Sequence, residues 1–147
     1  MAKRPILHPT DFSTASRPAF AEALKLAKAS GSGLLVLHVL NPALPVIGAE
    51  SVSPPTYEQF RKASRAWALS QLARLIAPTR AARVRTTPIV LEGAEANQIA
   101  RLARSRHASM IVMGTHGRTG VKRVVLGSVA ARVLRLARCP VLTVRGR

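Results

Sequence analysis

Two short runs, "GLLVLHVL" at residues 33–40 and "ASMIVMG" at 108–114, are apolar at almost every position. A strand with one wet face alternates apolar and polar side chains. An unbroken apolar run of this length instead reads as a strand covered on both faces. Such strands belong to parallel sheets, whose crossover helices cover both sides. This constrains the chain more tightly than any other feature, because it demands helices between the strands.

The sequence supplies them. "RPILHP" is a first strand, and "STASRPAFAEALKLAKASGSG" places Ala19, Phe20, Ala23, Leu24, Leu26 and Ala27 at helical spacing. Ser13 or Ser16 is suited to cap that helix, Pro18 fits only its first turn, and Gly31 ends it. A proline-rich stretch at 41–55 reads as a mobile loop. Tyr57, Phe60, Ala63, Trp67, Leu69, Leu72 and Ile76 then form a helical stripe over 56–76, read as a core face rather than a base-stacking platform, and Pro78 stops it. "RVRTTPIVL" is a third strand, and Pro88 suggests an edge position. "GAEANQIARLARSRH" is a helix with Ala96, Ile99, Leu102 and Ala103 inward and Arg101, Arg104 and Arg106 outward. "ASMIVMG" is read as a central strand. "VKRVVLGSVAARVLRLAR" repeats Val121, Val125, Val129, Val133 and Leu136 at steps of three and four, and "CPVLTV" is a last strand. Five strands alternating with about four helices predict an α/β fold of three layers: an open, doubly wound, Rossmann-like parallel sheet in one domain, residues 1–147. Such sheets take ligands at the carboxyl ends of their strands, where the strand order reverses.

Composition narrows the setting. No apolar run approaches the roughly 18–20 residues of a spanning helix, and the N-terminus does not read as a signal peptide. The single cysteine, Cys139, forms no internal disulfide. With no base beside it in sequence, it reads as an inert thiol in a reducing compartment. A cytoplasmic protein with no membrane insertion is expected. The net charge is +17, and after Glu95 eleven Lys and Arg follow with no acidic residue. Such a surface favours polyanions, although an Arg-rich solvated surface reads equally well.

The segment "MGTHGRTGVKRVVLGSVA", residues 113–130, carries the chemistry. Gly114 closes the fourth strand, and Gly117, Gly127 and Ser128 follow. A glycine leaving a strand lets phosphates approach the main-chain N–H groups. A helix starting near Gly127 and Ser128 adds its free N–H groups and positive dipole end. Arg118, Lys122 and Arg123 supply positive charge between them. The spacing fits neither the Walker A loop nor the dinucleotide fingerprint. Tight turns at Gly114, Gly117 and Gly120, with close helix packing at Gly127, are the bland alternative.

The pattern Gly-x2-Gly-x9-Gly-Ser, here Gly114, Gly117, Gly127 and Ser128, resembles the nucleotide-binding signature of the universal stress protein family. The resemblance extends to "ILHPTDFSTAS", "LAKASGSGLLVLHV" and "CPVLTVR", nearly the whole chain. It implies ATP, with Mg2+, at the carboxyl edge of the sheet. It assigns Pro9, Thr10 and Asp11 to the nucleoside, with Asp11 on ribose or adenine, and the Val39 backbone to the adenine edge. Met113, Gly114, His116, Gly117, Gly127, Ser128 and Val129 would surround ribose and phosphates, with Arg118 beside them. It also implies a homodimer paired through the C-terminal strand. Ser109 departs from the Asp common before the fourth strand, which touches local capping only.

The remaining candidates are weaker. His8, His38 and His107 lack metal-ligand spacing and read as core or surface histidines. No catalytic residue is assigned: Asp11 is the only carboxylate expected near the cradle, so turnover is expected to be slow or absent. The function expected is an ATP-binding, nucleotide-dependent stress-response regulator. A slow ATPase or phosphotransfer enzyme, or a nucleic-acid binder using Arg101, Arg104, Arg106, Arg132, Arg135 and Arg138, is the alternative.

Overall fold

The computed structural model describes residues 3–41, 53–116 and 125–146. Its elements run β1 (Ile6–Pro9), α1 (Arg17–Ser30), β2 (Leu34–Leu40), α2 (Pro54–Ile76), β3 (Thr86–Glu92), α3 (Glu95–Ser105), β4 (Met110–Gly114), α4 (Ser128–Leu136) and β5 (Val141–Val144). All neighbouring strands are parallel, in the order β3-β2-β1-β4-β5. The expected alternation and sheet are therefore both present. The middle position belongs to β1, with β4 beside it, and β3 with its Pro88 is an edge strand as expected.

Strand alternation divides the core into two layers. Leu7, Leu35, Leu37, Val39, Ile111 and Met113 face α3 and α4, packing with Ile99, Leu102, Ala103 and Val133. Ile6, Leu34, Val36, Val90 and Val112 face α1 and α2, packing with Phe20, Ala23, Ala27, Ala68 and Leu72. Successive side chains point to opposite faces, so an unbroken apolar strand serves both layers at once.

Local signals set the helix ends. In α1, Pro18 occupies the first turn and Gly31 caps the end at φ 67°, its N–H reaching the carbonyls of Ala27 and Lys28. A left-handed residue there suits glycine. The expected serine cap is not made: neither Ser13 nor Ser16 caps with its side chain. The Ser16 hydroxyl instead donates to the Ser13 carbonyl at 2.8 Å, closing a short 3-10 turn at Thr14–Ser16.

Two expectations about helix faces need correction. Pro54 and Pro55 open α2 rather than ending the preceding loop, as prolines can in a first turn; residues 42–52 lie outside the described residues. The stripe on α2 is also not uniformly core. Ala68 and Leu72 are buried, but Phe60 is 52% exposed and Trp67 47%. With 23 residues, α2 is about 34 Å long, whereas a seven-residue strand spans about 23 Å. The excess lies in the N-terminal turns, where Arg61 already reaches Glu92 at the carboxyl end of β3, so these turns extend past that edge of the sheet. In α4 the helix begins at Ser128, so Val125 lies outside it; Val125 is 64% exposed and Leu136 42%. Val121 lies outside the described residues.

Candidate functional site

β1 and β4 lie side by side, yet the chain leaves them in opposite directions, toward β2 and toward β5. The segments that follow them part, and a crevice must open between them. A cavity of about 740 Å³ occupies this point, within the size range of small-molecule sites. Pro9, Thr10 and Asp11 line it after β1, Val39 from β2, and Met113, Gly114 and His116 from β4 and its exit. Gly127, Ser128 and Val129 line it from the start of α4. Gly117 and Arg118, with Lys122 and Arg123, lie outside the described residues.

The turn after β1 is wired to its neighbours. Thr10 N–H donates to the Leu37 carbonyl at 2.8 Å, and the His38 ring donates from Nδ1 to the Thr10 carbonyl at 2.8 Å. Phe12 N–H donates to Thr10 Oγ1 at 3.0 Å, and Ser13 N–H to Asp11 Oδ1 at 2.9 Å. Phe12 sits at φ 64°, a left-handed conformation that a bulky residue adopts at a cost of about 1–3 kcal/mol. Its ring stacks on His38 with centroids 4.4 Å apart and meets Trp67 edge-on at 5.5 Å.

On the opposite wall, Gly127 is the N-cap of α4. Its N–H donates to the Thr115 carbonyl at 2.7 Å, and a Cβ on Gly127 would come within 2.9 Å of that same oxygen. Only glycine fits this approach. The first helical bond is Ala131 N–H to the Gly127 carbonyl, so the N–H groups of Ser128, Val129 and Ala130 precede the helical ladder at the cavity wall. Together with the dipole they make an anion-binding end. His116 pairs through Nδ1 with Thr115 Oγ1 at 2.9 Å, and its Nε2 is buried with no partner among the described residues.

Two titratable groups near the site are shifted by burial. His8, one residue before the cavity, is fully buried and donates from Nδ1 to the Val112 carbonyl at 2.8 Å. Desolvation lowers its pKa to about 4, against a smaller upward pull from that hydrogen bond and from Asp11. It is a neutral core histidine, as expected. Desolvation raises the thiol of Cys139, which packs partly buried against the α3–α4 core, in keeping with an unreactive group. Ser109, at the departure from the family pattern, ties its N–H and hydroxyl to the Pro5 carbonyl.

Several lining residues were not expected. Phe60, Ala63, Ser64 and Trp67 of the overhanging α2 form a half-apolar wall, backed by His38, and Glu95 adds a second carboxylate to Asp11. Spacing alone marks Phe60, Ala63 and Trp67 as a helical stripe without saying which end of the sheet it faces. The signal available was the length of α2 relative to the strands. Among the described residues no group of three or more His, Cys, Asp or Glu could hold a metal ion, and no helix is long and apolar enough to cross a membrane.

An open parallel α/β sheet with a glycine-built cavity at its switch point is the class these features define. The universal stress protein family model matches residues 3–145, and the chain belongs to that family. It is 34% identical over 145 residues to universal stress protein MJ0531 of Methanocaldococcus jannaschii, covering 95% of this chain and 81% of that protein. Universal stress protein UspA from Lactobacillus plantarum shares the fold at a TM-score of 0.82 and 23% identity, covering 99% of each chain. A universal stress protein from Archaeoglobus fulgidus, solved in complex with dAMP, shares it at a TM-score of 0.65 and 21% identity, covering 99% of this chain and all of that one.

Proposed function

We propose that this protein binds ATP as its Mg2+ complex in the switch-point cavity and acts as a nucleotide-dependent regulator in a stress response. The observation that carries the reading is the convergence of Gly114, the Gly127–Ser128 start of α4 and Asp11 on one cavity. The residues suit the ligand. The N–H groups at the start of α4 and His116 Nε2, which has no partner among the described residues, are donors for phosphate oxygens. The Asp11 carboxylate accepts from sugar hydroxyls, and the Val39 backbone borders the base. Adenine-nucleotide binding in the Archaeoglobus fulgidus relative supports the same class of ligand here. The metal would arrive with the nucleotide, balancing its phosphates, rather than occupy a site of its own.

Binding, not turnover, is the proposed activity, and no residue is assigned a catalytic role. The regulator is proposed to be cytoplasmic and to pair as a homodimer through β5. The acid-free segment after Glu95 would add non-specific, salt-sensitive attraction to polyanions, with its arginines on the outer faces of α3 and α4.

Calorimetric titration with Mg-ATP at physiological salt tests the reading. One-site saturable binding is expected for the wild type and not for a folded Gly114→Val/Gly127→Val variant. A folded wild type that takes up no adenine nucleotide would overturn it.

A further inference from the structure

We propose that Phe12 is a positioning residue of the cavity: clamped left-handed by His38 and Trp67, it fixes the direction in which Asp11 enters the site. Phenylalanine is poorly suited to φ 64°, so something must hold it there. The ring contacts do so. One face lies on His38 at 4.4 Å and 29°, and the ring meets Trp67 at 5.5 Å and 89°.

The backbone turn has a direct consequence. Asp11 Oδ1 accepts from Ser13 N–H, which lies on the far side of Phe12. An aspartate that bonds the N–H two residues on needs the intervening residue to bend the chain, and here Phe12 does so in the left-handed conformation. The Thr10 hydroxyl accepts from Phe12 N–H in the same manner. The two turns are consecutive and share Phe12. If Phe12 relaxes to an extended conformation, Ser13 N–H swings away and the Asp11 carboxylate loses that bond. Glycine would take the φ without strain, but it would leave His38 and Trp67 without the ring. The clamp also reaches α2, because Trp67 belongs to that helix and lines the same cavity. Asp11 and the aromatic wall are thus set by one cluster.

The nucleotide arm of the test rests on the proposed ATP binding; the other arm does not. Without ligand, amide hydrogen exchange at Ser13 is compared in wild type, Phe12→Leu, Phe12→Tyr and Trp67→Leu. Exchange is expected to quicken about tenfold in Phe12→Leu, to quicken in Trp67→Leu, and to stay at the wild-type rate in Phe12→Tyr. Amides of β2 should remain protected, which shows that the variants are folded. In the second arm, the Kd for Mg-ATP is expected to rise about tenfold in Phe12→Leu. It should not rise further when Phe12→Leu is added to Asp11→Ala, because that variant already removes the acceptor that Phe12 positions. Unchanged Ser13 exchange in Phe12→Leu, or equal losses of affinity in both backgrounds, would overturn the proposal. A wild type that binds no Mg-ATP while Ser13 still loosens in Phe12→Leu would end the nucleotide reading and uphold the positioning role.

Discussion

The N–H of Gly127 and the carbonyl of Thr115 meet at 2.7 Å, joining the start of α4 to the exit of β4. A Cβ at position 127 would lie 2.9 Å from that oxygen, and the oxygen belongs to the backbone. The contact cannot be relieved by turning a side chain. Gly127→Ala is therefore expected to push α4 away from β4. The strain corresponds to a stability loss of about 1–3 kcal/mol, measured by urea denaturation. Mg-ATP affinity should fall at least about tenfold, since phosphate donors at a helix start act only at close range. Wild-type affinity and stability in Gly127→Ala would mean that the close approach is not needed.

His8 gives the fold a pH dependence of predictable sign. Its folded pKa, about 4, lies below the ordinary 6.5, so the unfolded chain binds the proton more readily. Stability rises with pH where the unfolded state holds more protons. The contribution is complete above about pH 7 and is lost as pH falls from about 6.5 toward 4. Between pH 7 and 5 the expected loss from this group is about 2 kcal/mol. His8→Asn keeps a donor for the Val112 carbonyl and has no proton to take up. Denaturation curves at the two pH values should therefore differ less for His8→Asn than for the wild type. Equal differences would remove His8 as the cause.

The overhang of α2 predicts opposite outcomes for two apolar residues on one helix. Leu72 is fully buried against the sheet, so Leu72→Ala should cost about 2–5 kcal/mol. Phe60 is half exposed and lines the cavity, so Phe60→Ala should cost less than about 1 kcal/mol yet weaken Mg-ATP binding. Thermal melts and calorimetry on the two variants separate the roles. A large stability loss in Phe60→Ala would return that residue to the core.

This division along α2 also marks how far the sequence could be read. The strands were legible because Leu34–Leu37 and Ile111–Met113 are apolar on both faces, and few other structures demand that. Gly31 and Pro18 marked the ends of α1 because glycine takes the left-handed cap without strain, while the fixed φ and missing N–H of proline suit a first turn. Pro88 marked an edge because it has no N–H to give to a strand on its far side. The glycines of the cavity were legible through their spacing, which joins a strand end to a helix start. What remained hidden depended on three-dimensional context. The hydroxyl of Ser16 had a choice of partners, and only the fold selects the Ser13 carbonyl. The stripe through Phe60 and Trp67 carries helical period but no information on where the sheet ends. The left-handed Phe12 is opposed by its own local preference and is held by His38 and Trp67, residues distant in sequence. No propensity argument reaches such a residue.

The last strand carries a prediction about assembly. β5 pairs with β4 on one side only and forms the edge of the sheet, with Leu142 37% exposed. An apolar edge strand invites pairing, and charged residues on it prevent pairing. If a second copy covers β5, Leu142→Glu places two carboxylates near the two-fold axis, where they repel each other and lose hydration. The wild type is therefore expected to scatter light as a dimer at micromolar concentration and Leu142→Glu as a monomer. Leu142 is exposed and belongs to neither core layer, so the variant should retain its melting cooperativity. Because Thr115 N–H is held by the Val144 carbonyl, freeing β5 also loosens the strand that braces the cavity exit. A modest weakening of Mg-ATP binding should accompany the monomer. A wild type that is monomeric by light scattering would remove the pairing role of β5.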